Sequence, residues 1–191
     1  QIGVQSALTG HLVLSTLHTN TAASAITRLE DMGVERYLIT SAVNGVLAQR
    51  LVRTLCKHCK QPQEANRDYI EQTGLGRFVA ADSQRIYRAG GCEACMHTGY
   101  AGRTGIHELF VLDDEMHRVI MSCADATLLH AAAKRQGMVS LYEDGLRKVI
   151  AGVTSMEEVL RVTQDQSESS PGSVSGETPP ADISAIESIS A

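Results

Sequence analysis

Cys56-Lys57-His58-Cys59 and Cys92-Glu93-Ala94-Cys95 form two C-x-x-C knuckles. Two thiolates separated by two residues can turn inward on one tight loop, and two such loops supply the four soft ligands of a tetrahedral Zn²⁺ site, with Zn–S distances of roughly 2.3 Å. We therefore predict one structural zinc ion that joins two distant parts of the chain. The predicted ligands are Cys56, Cys59, Cys92 and Cys95.

Two alternatives to zinc remain open at the level of sequence. The four cysteines form two disulfides only in an oxidising compartment, and unrelated core cysteines rarely fall into two identical spacings. A catalytic zinc is disfavoured because four thiolates leave no coordination position for water. Cys123 has no C-x-x-C partner and is interpreted as a small buried hydrophobe.

Composition limits the class of protein. The chain has 191 residues, of which 43% are hydrophobic, and its net charge is −5. It has no apolar run of membrane-spanning length and no signal-peptide pattern at Gln1, so we expect a cytoplasmic protein.

Since the chain lacks an initial Met and starts within a helical pattern, we also expect that an N-terminal part is missing. The acidic balance argues against nucleic acid as the main partner.

A local cluster of basic residues is the exception to that balance. It consists of Arg50, Arg53, Lys57 and Lys60, just before and within the first knuckle. Such a cluster suits a phosphate or an acidic partner, although a solvated surface is the more common reason for it.

The first fifty residues show an α/β rhythm. We predict a helix end over Gln1 to Gly10, a buried strand over His11 to Leu17, a helix from Thr21 to Met32 and an amphipathic helix from Arg36 to Gln49. Ligands gather at the carboxyl ends of strands in open α/β sheets, so His18 lies where an anion would bind. A capping or core histidine explains the same residue equally well.

The rest of the chain changes from mixed structure to helices. We predict a helix near Glu64 to Gln72 and strands at Gln84 to Arg88 and Thr104 to Leu112. Four capped helices follow, over Asp113 to Ser122, Asp125 to Gln136, Ser140 to Ala151 and Ser155 to Val162. The composition after Gln164 favours a disordered tail.

Several blocks in order resemble the secretion ATPase family. They are Leu8-Thr9-Gly10-His11-Leu12-Val13-Leu14-Ser15-Thr16-Leu17-His18-Thr19-Asn20, Ala48-Gln49-Arg50-Leu51-Val52-Arg53, the two knuckles, Gly102-Arg103-Thr104-Gly105-Ile106-His107-Glu108-Leu109, and Gly152 to Thr163. Gly105-Ile106-His107-Glu108 is more similar to the type II secretion ATPases than to the type IV pilus assembly ATPases.

The resemblance implies a RecA-like, α/β P-loop ATPase with an inserted tetracysteine zinc subdomain and a helical C-terminal subdomain. On this scheme residues 1–55 complete the ATPase core, 56–103 bind zinc, 104–163 form a strand and the helical subdomain, and 164–191 are a disordered tail. The resemblance also implies a homo-hexamer that hydrolyses Mg-ATP on the cytoplasmic face of the inner membrane, contacts secretion platform proteins there, and drives pseudopilus assembly.

Individual site residues follow from the same resemblance. His18 is implied to lie near the γ-phosphate and His11 to support it, so both are assigned to catalysis, while Thr9, Gly10 and His18 are assigned to nucleotide binding. No G-x-x-x-x-G-K-[S/T] segment occurs in the chain, so we expect this polypeptide alone to be inactive. The rival interpretation is a stand-alone zinc-braced module that binds nucleic acid or protein.

Overall fold

The computed structural model describes residues 2–79, 84–122 and 125–164. In chain order the elements are α1 (Ile2–Leu8), α2 (Ser24–Asp31), α3 (Arg36–Ala42), β1 (Gly45–Leu55), β2 (Gln61–Ala65), α4 (Arg67–Thr73), β3 (Gln84–Arg88), β4 (Tyr100–Val111), α5 (Asp114–Ser122), α6 (Ala126–Arg135), α7 (Leu141–Ile150) and α8 (Met156–Gln164). The described residues thus form a mixed helix and sheet structure. None of the helices in these ranges is long and apolar enough to cross a membrane.

The central element is a long two-stranded ribbon made of β1 and β4. The strands run antiparallel, from Gly45 opposite Val111 to Leu55 opposite Tyr100, with one irregularity after Arg53. Side chains alternate between the two faces of a strand. One face is covered by helices on both halves of the ribbon, and it includes Val52, Ile106 and Phe110, which are fully buried.

The predicted helix from Arg36 to Gln49 is wrong in its second half. The helix ends at Ala42, Val43 is already extended with φ −99° and ψ 120°, and β1 begins at Gly45. The apolar spacing of this segment fits a helix locally. Its pairing with β4, more than fifty residues away in the chain, overrides that local preference.

The predicted strand from His11 to Leu17 is also absent. These residues lie in no helix or strand, and Leu12 and Leu14 are 85% and 88% exposed. A strand forms only through hydrogen bonds to a neighbouring strand. Within the described ranges, the two sheets pair β1 with β4 and β2 with β3, so this apolar segment has no strand beside it.

A small unit lies between the two knuckles, as the length of that segment predicts. β2 pairs antiparallel with β3, and α4 follows β2. The strand at Gln84–Arg88 is confirmed, whereas β2, with its sequence Gln-Pro-Gln-Glu-Ala, was not predicted because it lacks an apolar alternation. The Asn66 side chain caps α4 by accepting from the Tyr69 N–H at 3.0 Å, which moves the helix start beyond the predicted Glu64.

The four C-terminal helices are confirmed as α5 to α8, and each predicted cap bonds to the start of its helix. Asp113 Oδ1 accepts the Met116 N–H at 2.8 Å, and Ser155 Oγ accepts the Glu158 N–H at 3.4 Å. Asp125 accepts from the N–H groups of Thr127 and Leu128, and Ser140 forms a capping box with Glu143. The helices complete separate clusters: α5 and α6 pack with α2, α3 and Phe110, while α7 and α8 pack with α4 and β3. Cys123 and the predicted tail from residue 165 lie outside the described residues.

The turn between α7 and α8 fastens the helical part to the knuckle end of the ribbon. The Leu55 N–H donates to the Val153 carbonyl at 2.9 Å, and Thr154 Oγ1 donates to the Arg53 carbonyl at 2.8 Å. β1 belongs to the first of the predicted domains and β4 mainly to the third, yet they share one ladder. The predicted domain boundaries stay a prediction.

Glu158 is the buried charge at this junction. Its carboxylate is 1% exposed and accepts from the guanidinium groups of Arg53 and Arg161, each at 2.7 Å, and from the Arg53 backbone N–H at 3.0 Å. Burial opposes its ionisation, but the hydrogen bonds from Arg161 and Arg53 outweigh burial and lower the pKa of Glu158 to about 2.

This lowered pKa predicts a loss of stability in acid. The carboxylate stabilises the folded state above its ordinary pKa of 4.5, by on the order of 3 kcal/mol, and this contribution is lost as the pH falls from about 4.5 toward 2. We expect Glu158→Gln to lower the free energy of unfolding at neutral pH by about 2–4 kcal/mol and to flatten its pH dependence in that window. Urea unfolding at a series of pH values measures both effects.

The matched control is the neighbouring residue Glu157, which is exposed. Glu157→Gln should change the free energy of unfolding by no more than about 0.5 kcal/mol. Equal losses in the two variants would contradict a special role for the buried ion pairs.

Candidate functional site

The four knuckle cysteines converge on one point. Their Sγ atoms all lie within 4.8 Å of one another, and no other histidine, cysteine or carboxylate of the described residues joins this group. The separations are 4.0 Å for Cys56–Cys92 and 3.8 Å for both Cys59–Cys95 and Cys92–Cys95. A tetrahedron with Zn–S bonds of roughly 2.3 Å has S–S edges of about 3.8 Å. The donor set therefore fits a tetrahedral thiolate-bound metal.

Disulfides do not account for this arrangement. A disulfide holds its two sulfurs about 2.05 Å apart, and all four cysteines are free in the structure. His58, which lies inside the first knuckle, is not a member of the cluster.

The first knuckle leaves β1 directly and is held from both sides. The Cys56 N–H donates to the Gly99 carbonyl at 2.9 Å, and the Lys60 N–H donates back to the Cys56 carbonyl at 3.0 Å. Gly90 lies against this turn so closely that a Cβ there would be 2.2 Å from the Cys59 carbonyl oxygen. Only glycine fits at this position without displacing the knuckle backbone.

The second knuckle is a single turn of 3-10 helix, Glu93–Cys95, followed by two residues in the left-handed region, Met96 and His97. This reversal brings the Gly99 N–H to 3.2 Å from Cys95 Sγ, and the Cys92 N–H lies 3.4 Å from the same sulfur. These tight turns direct both cysteine side chains to the same side.

The sulfurs differ in how readily they ionise. Backbone N–H donation from Cys92, with a further contribution from Gly99, lowers the pKa of Cys95 to about 6. Burial, assisted by hydrogen bonds among the thiols, raises the pKa of Cys59 to about 12. Since a metal binds thiolates, one ligand is already favoured as the anion, and the metal would have to displace the proton of the other.

Three of the four side chains in the predicted basic cluster are engaged within the molecule. Arg53 pairs with Glu158 and lies over the Tyr100 ring at 4.1 Å. Lys60 donates to the Gly152 carbonyl at 2.9 Å and lies over the Tyr87 ring at 4.3 Å. Arg50 Nη2 donates to Asn20 Oδ1 at 3.0 Å.

The histidine segment, Thr9 to Asn20, contributes no residue to the sulfur cluster. Thr9 and Gly10 form the turn after α1, and Gly10 has φ 94°. His11 Nδ1 lies 3.1 Å from Thr9 Oγ1, and both His11 and His18 are exposed. The structure thus groups Thr9, Gly10 and His11 in one turn, and it places His18 at the far end of a stretch that belongs to no helix or strand. Their predicted roles stay predictions.

Two residues of the ribbon hold the chain just after His18. Arg50, a member of the predicted basic cluster, donates to Asn20 Oδ1, and Glu108, to which sequence reasoning gave no role, accepts the Ala22 N–H at 2.9 Å through Oε1. Arg50 and Glu108 lie on β1 and β4, on the ribbon face that packs against the helices. The alternation of β4 carries a signal for Glu108, a charged residue at an inward position between Ile106 and Phe110.

Comparison with known proteins gives a consistent result over most of the chain. Residues 1–161 match the family model described as Type II/IV secretion system protein. The chain is 50% identical over 166 residues to Type II secretion system protein E of Dickeya dadantii, and 53% identical over 165 residues to Type II secretion system ATPase E of Vibrio cholerae. It is 48% identical over 163 residues to Type IV pilus assembly ATPase PilB of Thermus thermophilus.

These matches cover 85–87% of this chain but much less of the relatives. The chain spans 32% of the length of the first two relatives and 18% of the third.

The geometry of the sulfur cluster predicts one bound metal ion per chain. We expect metal analysis of the purified chain to find about one zinc, and chelation to make the chain less compact, because a structural metal contributes its binding free energy to folding. Cys92→Ser should release the metal, whereas His58→Ala, a neighbour outside the cluster, should retain it. The absence of metal together with free reaction of the four thiols under native conditions would contradict this site.

Proposed function

Because this chain belongs to the type II/IV secretion system protein family, we propose that it is the C-terminal part of a secretion ATPase and supplies that enzyme's phosphate-sensing and zinc-braced elements. The observation that carries the proposal is the match over residues 1–161, which includes both the histidine segment and the four converging cysteines. The names of the relatives include ATPases of type II secretion and of type IV pilus assembly.

The proposed ATPase core is RecA-like and takes its phosphate-binding loop from outside this chain. A P-loop supplies the backbone cradle, the phosphate lysine and the Mg²⁺-binding hydroxyl, and this sequence contains no such motif. The cofactors of the intact enzyme are ATP and Mg²⁺. This chain by itself should not hydrolyse ATP.

Within that enzyme, His18 senses the γ-phosphate and His11 supports the segment. An imidazole can donate a hydrogen bond to a phosphate oxygen and thereby distinguish the triphosphate from the diphosphate. The proposal is supported by the exposure of His18 and by the short polar stretch, Thr19 to Thr21, that joins it to the buried start of the α2 region. Thr9 and Gly10, in the turn beside His11, complete the proposed nucleotide contacts.

The zinc centre acts as a brace in this proposal and takes no part in the chemistry. All four donors are thiolates, so they would fill a tetrahedral coordination sphere. The four-sulfur cluster closes the open end of the β1/β4 ribbon and is tied to the α7–α8 turn through Lys60 and Gly152. A rigid end of this kind suits a surface that transmits motion to another protein.

The assembly and location complete the proposal. We place the intact protein as a homo-hexamer on the cytoplasmic face of the inner membrane, in contact with secretion platform proteins, where it powers pseudopilus assembly for type II secretion. The rival nucleic-acid module is disfavoured because Arg50, Arg53 and Lys60 are engaged within the molecule. Net charge disfavours it as well, since nucleic-acid binding depends on free cations.

The histidine assignment leads to a prediction for the intact enzyme. Removing the His18 imidazole deletes a donor to the transferred phosphate, so His18→Ala should lower kcat for ATP hydrolysis by about 100-fold, the effect of losing one preorganised donor. Steady-state phosphate release by the purified assembled protein measures this change.

His58→Ala is the matched control, since His58 is also exposed but lies in a knuckle. It should leave kcat unchanged, and both variants should unfold at the wild-type temperature. A His18→Ala enzyme with the wild-type kcat would remove the sensor role.

A further inference from the structure

Glu108 is a buried carboxylate for which the proposed function has no role. Only 2% of it is exposed, and it lies on β4 opposite Ala48. Burying a carboxylate is unfavourable unless the group is hydrogen-bonded, so the partners of Glu108 indicate its role. They are the Ala22 N–H, at 2.9 Å from Oε1, and His130 Nε2 on α6, at 3.6 Å from Oε2.

The Ala22 N–H lies where the chain passes from exposed to buried residues. Ala22 and Ala23 are fully buried, whereas His18 is exposed four residues earlier. Thr21 Oγ1 accepts the Ser24 N–H at 3.1 Å and so organises the start of α2, but the Ala22 N–H precedes the helix and has no helical acceptor. Glu108 satisfies this donor from a different part of the chain.

A second contact from the same ribbon face acts on the same turn. Arg50 Nη2 on β1 donates to Asn20 Oδ1 at 3.0 Å. The two strands therefore hold both ends of the short turn from Asn20 to Ala22, and the exposed histidine segment leaves this held turn. Of the two contacts, the one from Glu108 is buried, so water cannot replace it at low cost.

We propose that Glu108 is a positioning residue that fixes the turn from Asn20 to Ala22 to the ribbon and thereby sets the position of His18 toward the nucleotide. This inference rests on the proposed function for the role of His18. Glu108 does not touch the nucleotide in this scheme, and it acts through the Ala22 N–H.

The contact also links the histidine segment to the zinc centre. β4 begins at Tyr100, immediately after the second knuckle, and carries Glu108 further along the same strand. If the zinc centre moves β4 along its length, the movement therefore reaches the turn from Asn20 to Ala22 through the hydrogen bond between Glu108 and the Ala22 N–H. His130 extends the link to α6 of the helical part.

The first experiment tests the contact in this chain without any nucleotide. Amide hydrogen exchange followed by NMR should show the Ala22 N–H exchanging at least about 10-fold faster in Glu108→Leu, since leucine of similar size removes the acceptor. Glu108→Gln keeps an acceptor oxygen at the same place and should retain protection to within about threefold. Amides of α4, which packs with β3 in a separate cluster, should not change in either variant. Wild-type protection of Ala22 in Glu108→Leu would overturn the proposal.

The second experiment tests positioning in the intact ATPase. Glu108→Leu should lower kcat by about 10-fold or more and leave KM for ATP within about twofold, because binding is retained while the sensor is misplaced. Glu108→Gln should restore kcat to near wild type. Equal losses of kcat in both variants would overturn positioning through the hydrogen bond.

The control separates positioning from general destabilisation. Val159→Ala opens a cavity in the core of α7 and α8, away from the turn, and should lower the melting temperature without lowering kcat. If Glu108→Leu does not fold, Glu108→Met replaces it, because its flexible chain adapts to the same space without an acceptor. An intact wild-type protein that hydrolyses no ATP would refute the proposed function, and the exchange result would then decide alone whether Glu108 holds the turn.

Discussion

The pairing of β1 with β4 is the constraint on which the rest of this structure depends. It joins segments that are far apart in the chain, brings the two knuckles to the same end, and presents one covered face to the helices. The four cysteines can converge only because both strands end at that place. The same face holds the turn after the histidine segment through Arg50 and Glu108. The β1/β4 ribbon therefore positions both the metal centre and the histidine segment.

The second organising interaction is ionic and lies where the helical part meets the ribbon. Glu158 accepts from both the side chain and the backbone of Arg53, so it binds the strand itself as well as its charged group. Tyr100 OH lies 2.8 Å from Ser155 Oγ at the same junction. A buried charge of this kind adds specificity, because any other packing of α8 would leave Glu158 without its partners. The helical part is thus fixed in orientation relative to the knuckles.

Sequence patterns predicted what depends on neighbouring residues and missed what depends on distant ones. The cysteine spacing and the caps at Asp125 and Ser140 are local, and the cluster and α5 to α8 followed from them. The start of β1 was predicted as the end of a helix, because its apolar spacing fits both the helical and the strand period. Only pairing with β4 decides between the two. The segment from His11 to Leu17 has strand composition without a strand beside it. Glu108 was not found because its acceptor role depends on a backbone donor 86 residues away.

The ribbon also imposes an order on how the chain can acquire its structure. Pairing at the knuckle end closes a shorter loop than pairing at the Gly45 end, so it costs less chain entropy. The metal favours the same end, because a thiolate cluster can form only when both knuckles meet. The small β2/β3 unit lies within that loop and shortens it further once formed. Strand pairing should therefore start beside the cysteines and proceed toward Gly45, which makes metal capture an early event in folding and leaves the contacts to Asn20 and Ala22 among the last to form.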